Sequence, residues 1–332
     1  HDPNRAPTAL SALRGAAEET TSGLRPLRYF PLRVPVIASN DARSKTLFDN
    51  AYGTGQSCLM TILDLLDPGQ RGWPLWDKQV VVAGYGDVGR GFAKLTAAFG
   101  GRVAVAELDP VRELQARMDG HHTGPLDALV TDADLVVSAT GVRHTITASQ
   151  LEQMRQDTVV AVIGGVEQEV AMTDAEAAGA RWVSDDVMAL RSGRAVRILD
   201  RGNCINVTAG EGNPIEIMDL SFGVQVAAIR HLLNHRGLPA GVHSLPREAD
   251  DAVARAVGQL AVEDLPETRP DRMEHYVWGI AVSLIRQGIT RQIGDLHSEL
   301  QRTPPDDPAH GELFARLMEL EAQRRACEEQ IQ

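Results

Sequence analysis

Gln79-Val80-Val81-Val82-Ala83-Gly84-Tyr85-Gly86-Asp87-Val88-Gly89 is the stretch on which the fold turns. Its opening five residues are a valine-rich run of strand length, and an apolar run without alternation belongs to a strand buried on both faces of a parallel sheet. Glycines at 84, 86 and 89 punctuate its end. Val88 to Phe99 then carries apolar residues at helical spacing and stops on Gly100-Gly101. Arg102-Val103-Ala104-Val105-Ala106 repeats the strand pattern and completes a strand–helix–strand unit. Asp134-Leu135-Val136-Val137-Ser138 and Thr158-Val159-Val160-Ala161-Val162 continue the series. The alternation predicts an α/β fold, a doubly wound parallel sheet of the Rossmann type.

The glycines have the spacing Gly-x-Gly-x-x-Gly between a strand and a helix, the context in which that spacing has a mechanism. Gly84 permits the tight turn, Gly86 lets a pyrophosphate approach the backbone, and Gly89 lets the helix pack closely on the strand. The pyrophosphate then meets the N-terminus of the helix at Asp87 and Val88. Glu107, at the tip of the second strand, is placed to accept the ribose hydroxyls of NAD. Arg112 is the residue that would recruit the 2′-phosphate of NADP, but an acid at the strand tip repels that phosphate, so NAD is the expected cofactor.

At 332 residues the chain exceeds one ordinary core, and two domains are expected. A formal charge of −12 argues against non-specific binding to nucleic acid and for small-molecule partners. No apolar run approaches the ~18 residues of a membrane span. Cys58, Cys204 and Cys327 lack any disulfide or zinc spacing, so the chain reads as cytoplasmic. It opens on His1-Asp2-Pro3-Asn4, and residues upstream of these are expected. Ala42 to Leu66 reads as one long helix ending at an Asp67-Pro68-Gly69 turn, followed by a loop to Asp77, and Glu216 to Leu233 reads as another helix. Beyond Gly258 the alternation stops. Ile289, Ile293, Leu296 and Leu300 form one helical row and Leu313, Leu317 and Leu320 a second, across a turn from Thr303 to Pro308, which predicts a helical hairpin.

Some polar residues are ambiguous by themselves. Lys45 and Asp49 share a helix face at i, i+4, with Asn50 next to them, and alone they read as a surface ion pair. Glu18-Glu19-Thr20-Thr21-Ser22-Gly23 reads as an acidic helix end or a polar loop, and His121-His122 as a solvated pair with no metal site.

Taken in order, these segments resemble the S-adenosylhomocysteine hydrolase family. The residues that carry the resemblance are Glu18-Glu19-Thr20-Thr21-Ser22-Gly23, Asn40-Asp41, Lys45 with Phe48-Asp49-Asn50, Tyr52-Gly53-Thr54-Gly55-Gln56-Ser57, the glycine loop, Glu107-Leu108-Asp109-Pro110, Asn213-Pro214-Ile215-Glu216-Ile217-Met218-Asp219, and Gly241-Val242-His243 with Leu245-Pro246. It covers about residues 1–255. It implies a remnant of a substrate domain over 1–40, an NAD-binding Rossmann domain over 41–255 and a separate helical region over 256–332, with most of the family's N-terminal substrate domain missing. It also implies that NAD oxidises the 3′-hydroxyl of the substrate ribose, that homocysteine leaves C5′ of the ketone, that water adds, and that the ketone is reduced again. By family position Lys45 assists proton removal at the 3′-hydroxyl and Asp49 orients the substrate, while Glu19, Thr20 and Asn50 line the nucleoside site. Thr20, Thr21 and Ser22 join Gly84, Gly86, Asp87, Val88, Gly89 and Glu107 around the cofactor, and Asn206 holds the nicotinamide amide. Family members form homo-oligomers.

Two histidines of the family pattern are replaced, by Gly165 in Gly164-Gly165-Val166 and by Asn213. Those losses keep open a nucleoside 3′-oxidoreductase or epimerase without C5′ elimination, and a non-enzymatic NAD-binding protein. The family's Lys/Tyr tail gives way to the helical region. About residues 255–332 of this chain resemble, through Leu260-Ala261-Val262-Glu263, Arg291-Gln292-Ile293, Leu300-Gln301-Arg302 and Leu320-Glu321 with Arg324-Arg325, the C-terminal helicase-binding region of bacterial DNA primases. That likeness implies contact with a replicative helicase.

Overall fold

In a computed structural model, the structure describes residues 13–69, 75–261, 293, 296, 300, 303 and 308–331. The expected features at residues 1–4, loop residues 70–74, Ile289, the turn residues 304–307 and, of the segments resembling DNA primase, residues 262–263, 291–292 and 301–302 lie outside these. The chain divides into a unit spanning His1–Leu260 and a helical unit spanning Ala261–Gln332.

Eleven strands are named in chain order: β1 (Ala16–Glu18), β2 (Pro35–Ala38), β3 (Gln79–Ala83), β4 (Arg102–Ala106), β5 (His122–Thr123), β6 (Leu135–Ser138), β7 (Val159–Val162), β8 (Arg181–Trp182), β9 (Val187–Ala189), β10 (Ala195–Ile198) and β11 (Gly241–Ser244). The main sheet runs β5-β4-β3-β6-β7-β10-β9-β8. It is parallel from β5 to β10 and antiparallel through the last two strands. β3 and β4 begin and end where the valine runs predict, and β6 and β7 each start one residue late.

Alternate valines explain why both faces are covered. Val80, Val82, Val103, Val105, Leu135 and Val137 pack with Cys58, Leu59, Ile62 and Phe92 on one face. On the other, Val81, Ala104, Val136 and Val160 pack with Ile146, Leu151, Met154 and Val170. Strand order reverses between β3 and β6, the switch point at which open α/β sheets bind ligands. Register aligns the tips there: Ala83 sits opposite both Ala106 and Ser138, and Ser138 opposite Val162.

The helices that matter to the site are α1 (Thr21–Tyr29), α2 (Gly55–Leu66), α3 (Asp87–Ala98), α4 (Pro110–Met118) and α5 (Ile215–Asn234). The expected single helix from Ala42 to Leu66 is corrected. A 3₁₀ turn at Ser39–Asp41 and a short α segment at Arg43–Lys45 lead into a π-helical stretch, Thr46–Thr54, before α2 begins. Side-chain bonds hold the wider turns: Thr46 donates to Asp87, Asn50 to Thr46, and Asn213 to Asp49 and Thr54. A second, wholly parallel sheet, β1-β2-β11, packs Ile37 against Val224, Ala227 and Ala228 of α5.

In the helical unit, α6 (Pro308–Ile331) brings Leu313, Leu317 and Leu320 against Ile293, Leu296 and Leu300, so the two predicted apolar rows meet. Among the described residues no helix is long and apolar enough to cross a membrane.

Candidate active site

A cleft of about 1100 Å³ opens over the aligned strand tips of the first unit. Gly84 and Gly86 line it, Gly89 does not, and the three glycines differ in their surroundings. Gly84 has φ +97°, a conformation L-residues avoid. A β-carbon on Gly89 would lie 2.0 Å from the Gly84 carbonyl oxygen, so Gly89 sits behind the loop, packed on the strand, and not on the cleft wall. At Gly86 a β-carbon would meet only Arg112 Nη1, at 3.4 Å, which leaves that backbone open to a ligand. No side chain caps the start of α3, so its first amides at Asp87 and Val88 face the cleft as an anion site. Glu107 ties the loop together by accepting from the amides of Tyr85 (2.6 Å), Leu108 (2.7 Å) and Asp109 (3.0 Å). Asp109 caps α4, and Pro110 occupies its first turn.

α1 forms the opposite wall. Glu18 ends β1 and accepts from the Thr20 amide and hydroxyl at 2.8 and 2.6 Å, while Thr20 caps α1 by accepting from Gly23 N. The ambiguous acidic segment is therefore a strand end followed by a helix cap. Thr21 accepts from Asn40, Ser22 Oγ would lie 3.2 Å from a β-carbon on Gly165, and Arg25 donates to the Gly141 carbonyl at 3.2 Å.

Between these walls the surface ion pair expected of Lys45 and Asp49 is corrected. The pair is real, at 3.3 Å, but their side chains are 5% and 7% exposed. Burial of a charged pair requires further polar partners. Lys45 Nζ donates to Asn50 Oδ1 at 2.8 Å and Asn40 Oδ1 at 3.5 Å. Asp49 accepts from Asn213 Nδ2 at 2.6 Å and Ser221 Oγ at 2.5 Å. Asn213 Oδ1 in turn accepts from Ser57 at 2.8 Å and Asn206 Nδ2 at 3.2 Å. Asn206, 5% exposed, receives the Cys204 thiol, whose pKa burial raises to about 11 with help from the nearby Glu169 charge.

Under the cleft lies Glu169, fully buried. Burial pushes its carboxyl pKa up, and the Ser138 hydroxyl at 2.5 Å and nearby amides of Val166, Gly141 and Thr140 offset part of that. None of these amides reaches hydrogen-bond geometry on Oε1. Gly164 admits the carboxyl, since a β-carbon there would lie 1.9 Å from Oε1.

An S-adenosyl-L-homocysteine hydrolase NAD-binding domain model matches residues 58–212. Adenosylhomocysteinase of Thermotoga maritima is 41% identical over 74% of this chain and 62% of its own length. The S-inosyl-L-homocysteine hydrolase of Methanosarcina mazei is 39% identical over 74% of this chain and 60% of its own. That of Methanothermobacter thermautotrophicus is 36% identical over 82% of this chain and 67% of its own. The chain belongs to the S-adenosyl-L-homocysteine hydrolase family.

It spans about three-fifths of the length of the first two of these relatives. The cofactor of this family member is NAD, and the residues present fit it: the open Gly86, the uncapped start of α3 and the acid at Glu107 form one continuous cradle. Glu19, Thr20, Thr21, Ser22, Lys45, Asp49, Asn50 and Asn206 line the same cleft as the glycine loop. His121 and His122 stand apart from it. His121 is edge-on to Tyr85 at 5.8 Å, with its pKa lowered by burial, and His122 begins β5. No metal cluster occurs among the described residues.

Sequence reading missed Asn40, Thr54, Ser57, Ser221, Gln225 and Glu169 as members of this network. Asn40, Thr54 and Ser57 lie inside motifs that carry the family resemblance, and Ser221 and Gln225 are polar positions at i, i+4 on the face of α5 that also carries Met218 into the cleft, whereas Glu169 left no signal.

Proposed function

We propose that this chain catalyses NAD-dependent hydrolysis of S-adenosylhomocysteine to adenosine and homocysteine through a 3′-keto nucleoside. The observation that carries the reading is the buried Lys45–Asp49–Asn50 cluster, set in one cleft with the glycine loop and Asn206. When bound, NAD would supply the hydride acceptor for oxidation at C3′ and, as NADH, the donor for the closing reduction. Lys45 assists loss of the 3′-hydroxyl proton, which its amine accepts in the uncharged form: Nζ already faces three oxygens, on Asn40, Asn50 and Asp49, and an entering hydroxyl takes the place of one. Asp49 orients that hydroxyl, and Glu19, Thr20 and Asn50 hold the nucleoside. Asn206 orients the nicotinamide amide, while Thr20, Thr21, Ser22, Gly84, Gly86, Asp87, Val88, Gly89 and Glu107 hold or shape the rest of the cofactor site.

Asn213 supports a second reading. Its amide is tied to Asp49, Thr54, Ser57 and Asn206 and offers no titrating nitrogen where the family pattern has an imidazole, and Gly165 offers no side chain. A protein limited to 3′ oxidation would be a nucleoside oxidoreductase or epimerase. The relatives named for S-inosyl-L-homocysteine leave the base open to hypoxanthine as well.

Assembly as a cytoplasmic homo-oligomer belongs to the same reading, supported by the free thiols Cys58 and Cys204 and an exposed apolar stripe on α5. For the helical unit, the exposed Phe314 and Met318, one turn apart, support docking of a replicative helicase, which a pull-down with and without F314A tests.

The deciding experiment loads the protein with NAD and supplies adenosine, S-adenosylhomocysteine or S-inosylhomocysteine. The leading reading expects NADH from adenosine and free homocysteine thiol from one thioether, both lost in Lys45→Met. NADH without thiol favours the oxidoreductase, and neither product overturns both enzymatic readings.

A further inference from the structure

α5 reaches the cleft at Met218, and two of its other side chains, one turn apart, end on the two acids of the proposed nucleoside site. Ser221 Oγ donates to Asp49 Oδ2 at 2.5 Å, and Gln225 Nε2 donates to Glu19 Oε2 at 3.0 Å. Met218, on the same face, lines the cleft. Asp49 stands on the π-helical stretch and Glu19 follows β1, so the two acids come from separate parts of the chain. Helix α5 is the rigid body that touches both.

We infer that Ser221 and Gln225 are positioning residues: by fixing the angles of the Asp49 and Glu19 carboxylates, they tune the site to a cis-diol and therefore to ribonucleosides with both ring hydroxyls free. The inference rests on the nucleoside reading above. An ionised carboxylate has about four acceptor directions. At Asp49, Lys45 and Ser221 occupy Oδ2 and Asn213 occupies Oδ1, which leaves one direction for one hydroxyl. Gln225 holds one oxygen of Glu19 and leaves the other for a second hydroxyl. Ser221 is fully buried, so its hydroxyl has no water to turn to, and its hydrogen bond locks the Asp49 side chain. A carboxylate without its positioning donor keeps its charge and loses its aim. The signature is therefore lost discrimination between hydroxyl and hydrogen on the sugar, with binding of the rest of the nucleoside retained.

The test uses protein loaded with NADH, in which the sugar is not oxidised and the readout is binding. Adenosine, 2′-deoxyadenosine and 3′-deoxyadenosine are titrated calorimetrically into wild type, S221A and Q225M, with melting curves to check folding. Wild type is expected to prefer adenosine over each deoxynucleoside by about tenfold, the value of one hydrogen bond to a charged group. S221A loses the preference against one deoxynucleoside and Q225M against the other, while each variant binds that deoxynucleoside as wild type does. A uniform loss of affinity for all three ligands marks a merely structural role and overturns the inference. So does a full preference retained in both variants of a discriminating wild type, which leaves the nucleoside reading standing. A wild type without any preference overturns the nucleoside reading and the inference with it.

Discussion

Gly86 and Gly89 lie three residues apart, and the structure gives a methyl group at each a different fate. At Gly89 it would press on the Gly84 carbonyl and part α3 from β3, so Gly89→Ala is expected to cost about 1–3 kcal/mol of stability and to lower NAD affinity as well. At Gly86 it would meet only the end of Arg112, so Gly86→Ala should melt near wild type yet bind NAD at least about tenfold more weakly, because the methyl stands where the pyrophosphate approaches. Melting curves paired with NAD titrations separate the two, and equal stability losses would contradict this division. Glu169 supplies a prediction in pH. Burial raises its folded carboxyl above the ordinary 4.5, so the folded state holds a proton that the unfolded chain has released, and stability falls as pH rises from 4.5 through the raised value. Glu169→Gln removes that penalty: it should melt above wild type at mildly alkaline pH, with the gap closing as pH falls toward 4.5. A gap that does not change with pH would show that the carboxyl is not the cause. The glycine roles were legible in the sequence because each follows from spacing next to a strand. Glu169 was not, since in Glu167-Gln168-Glu169 it reads as one more acid of a solvated loop. Its burial depends on Gly164 and Ser138, which meet it only after β6 and β7 pair.

The π-helical stretch is the element on which the nucleoside end depends. π-helical turns recur at functional sites, and here the stretch carries Asp49 and Asn50 as buried polar residues toward the cleft. Its position is set from behind by glycine: a β-carbon on Gly91 of α3 would lie 1.8 Å from the Ala51 carbonyl oxygen. Gly91→Ala should therefore push the stretch away from α3, carrying Asp49 and Asn50 out of line with the cofactor. The expected result is a fall of at least about tenfold in nucleoside-dependent NADH formation, with NAD affinity close to wild type, because Gly91 lies one turn beyond the amides that meet the pyrophosphate. Stopped-flow NADH absorbance and an NAD titration measure the pair, and an unchanged rate would remove the stretch from the mechanism. The valine runs made β3 and β4 readable to the residue, since each is a short β-branched run with glycine at one end and a charged residue at the other. Ala42 to Leu66 is equally apolar on one face and gave a plain helix, because periodicity does not register an extra residue per turn. Nor does it register the small sheet, where Gly241 pairs with Pro35 across most of the chain, or the two antiparallel strands β8 and β9, whose short runs around Trp182 and Met188 carry no alternation to read.

On the scale of the whole molecule, α5 is amphipathic in an unusual way. Ser221, Val224, Ala227 and Ala228 face inward and are buried, while Ile215, Phe222, Val226, Ile229 and Leu233 are each at least half exposed. Phe222, Val226, Ile229 and Leu233 follow steps of four, three and four, the spacing of a two-helix seam. A stripe of that kind on one rigid helix is suited to a second copy of itself: in a two-fold interface the same patch serves both partners, so an apolar row meets an apolar row without any other complementarity. The proposed assembly is therefore a dimer, or a higher oligomer built from dimers, joined along α5. Replacing Val226 and Ile229 together by glutamate would set like charges across the two-fold axis. The mass measured by light scattering after size exclusion should then fall by half relative to wild type, with NAD affinity retained, since these side chains point away from the cleft. A wild-type chain that elutes as a monomer, or a double variant of unchanged mass, would leave the stripe without this partner. Because Gln225 and Val226 are adjacent on the same helix, the variant also separates assembly from chemistry. If α5 needs its second copy to stay straight, nucleoside binding falls together with the mass, whereas a monomer that keeps its nucleoside affinity shows that packing on the small sheet through Val224, Ala227 and Ala228 is enough to hold the site.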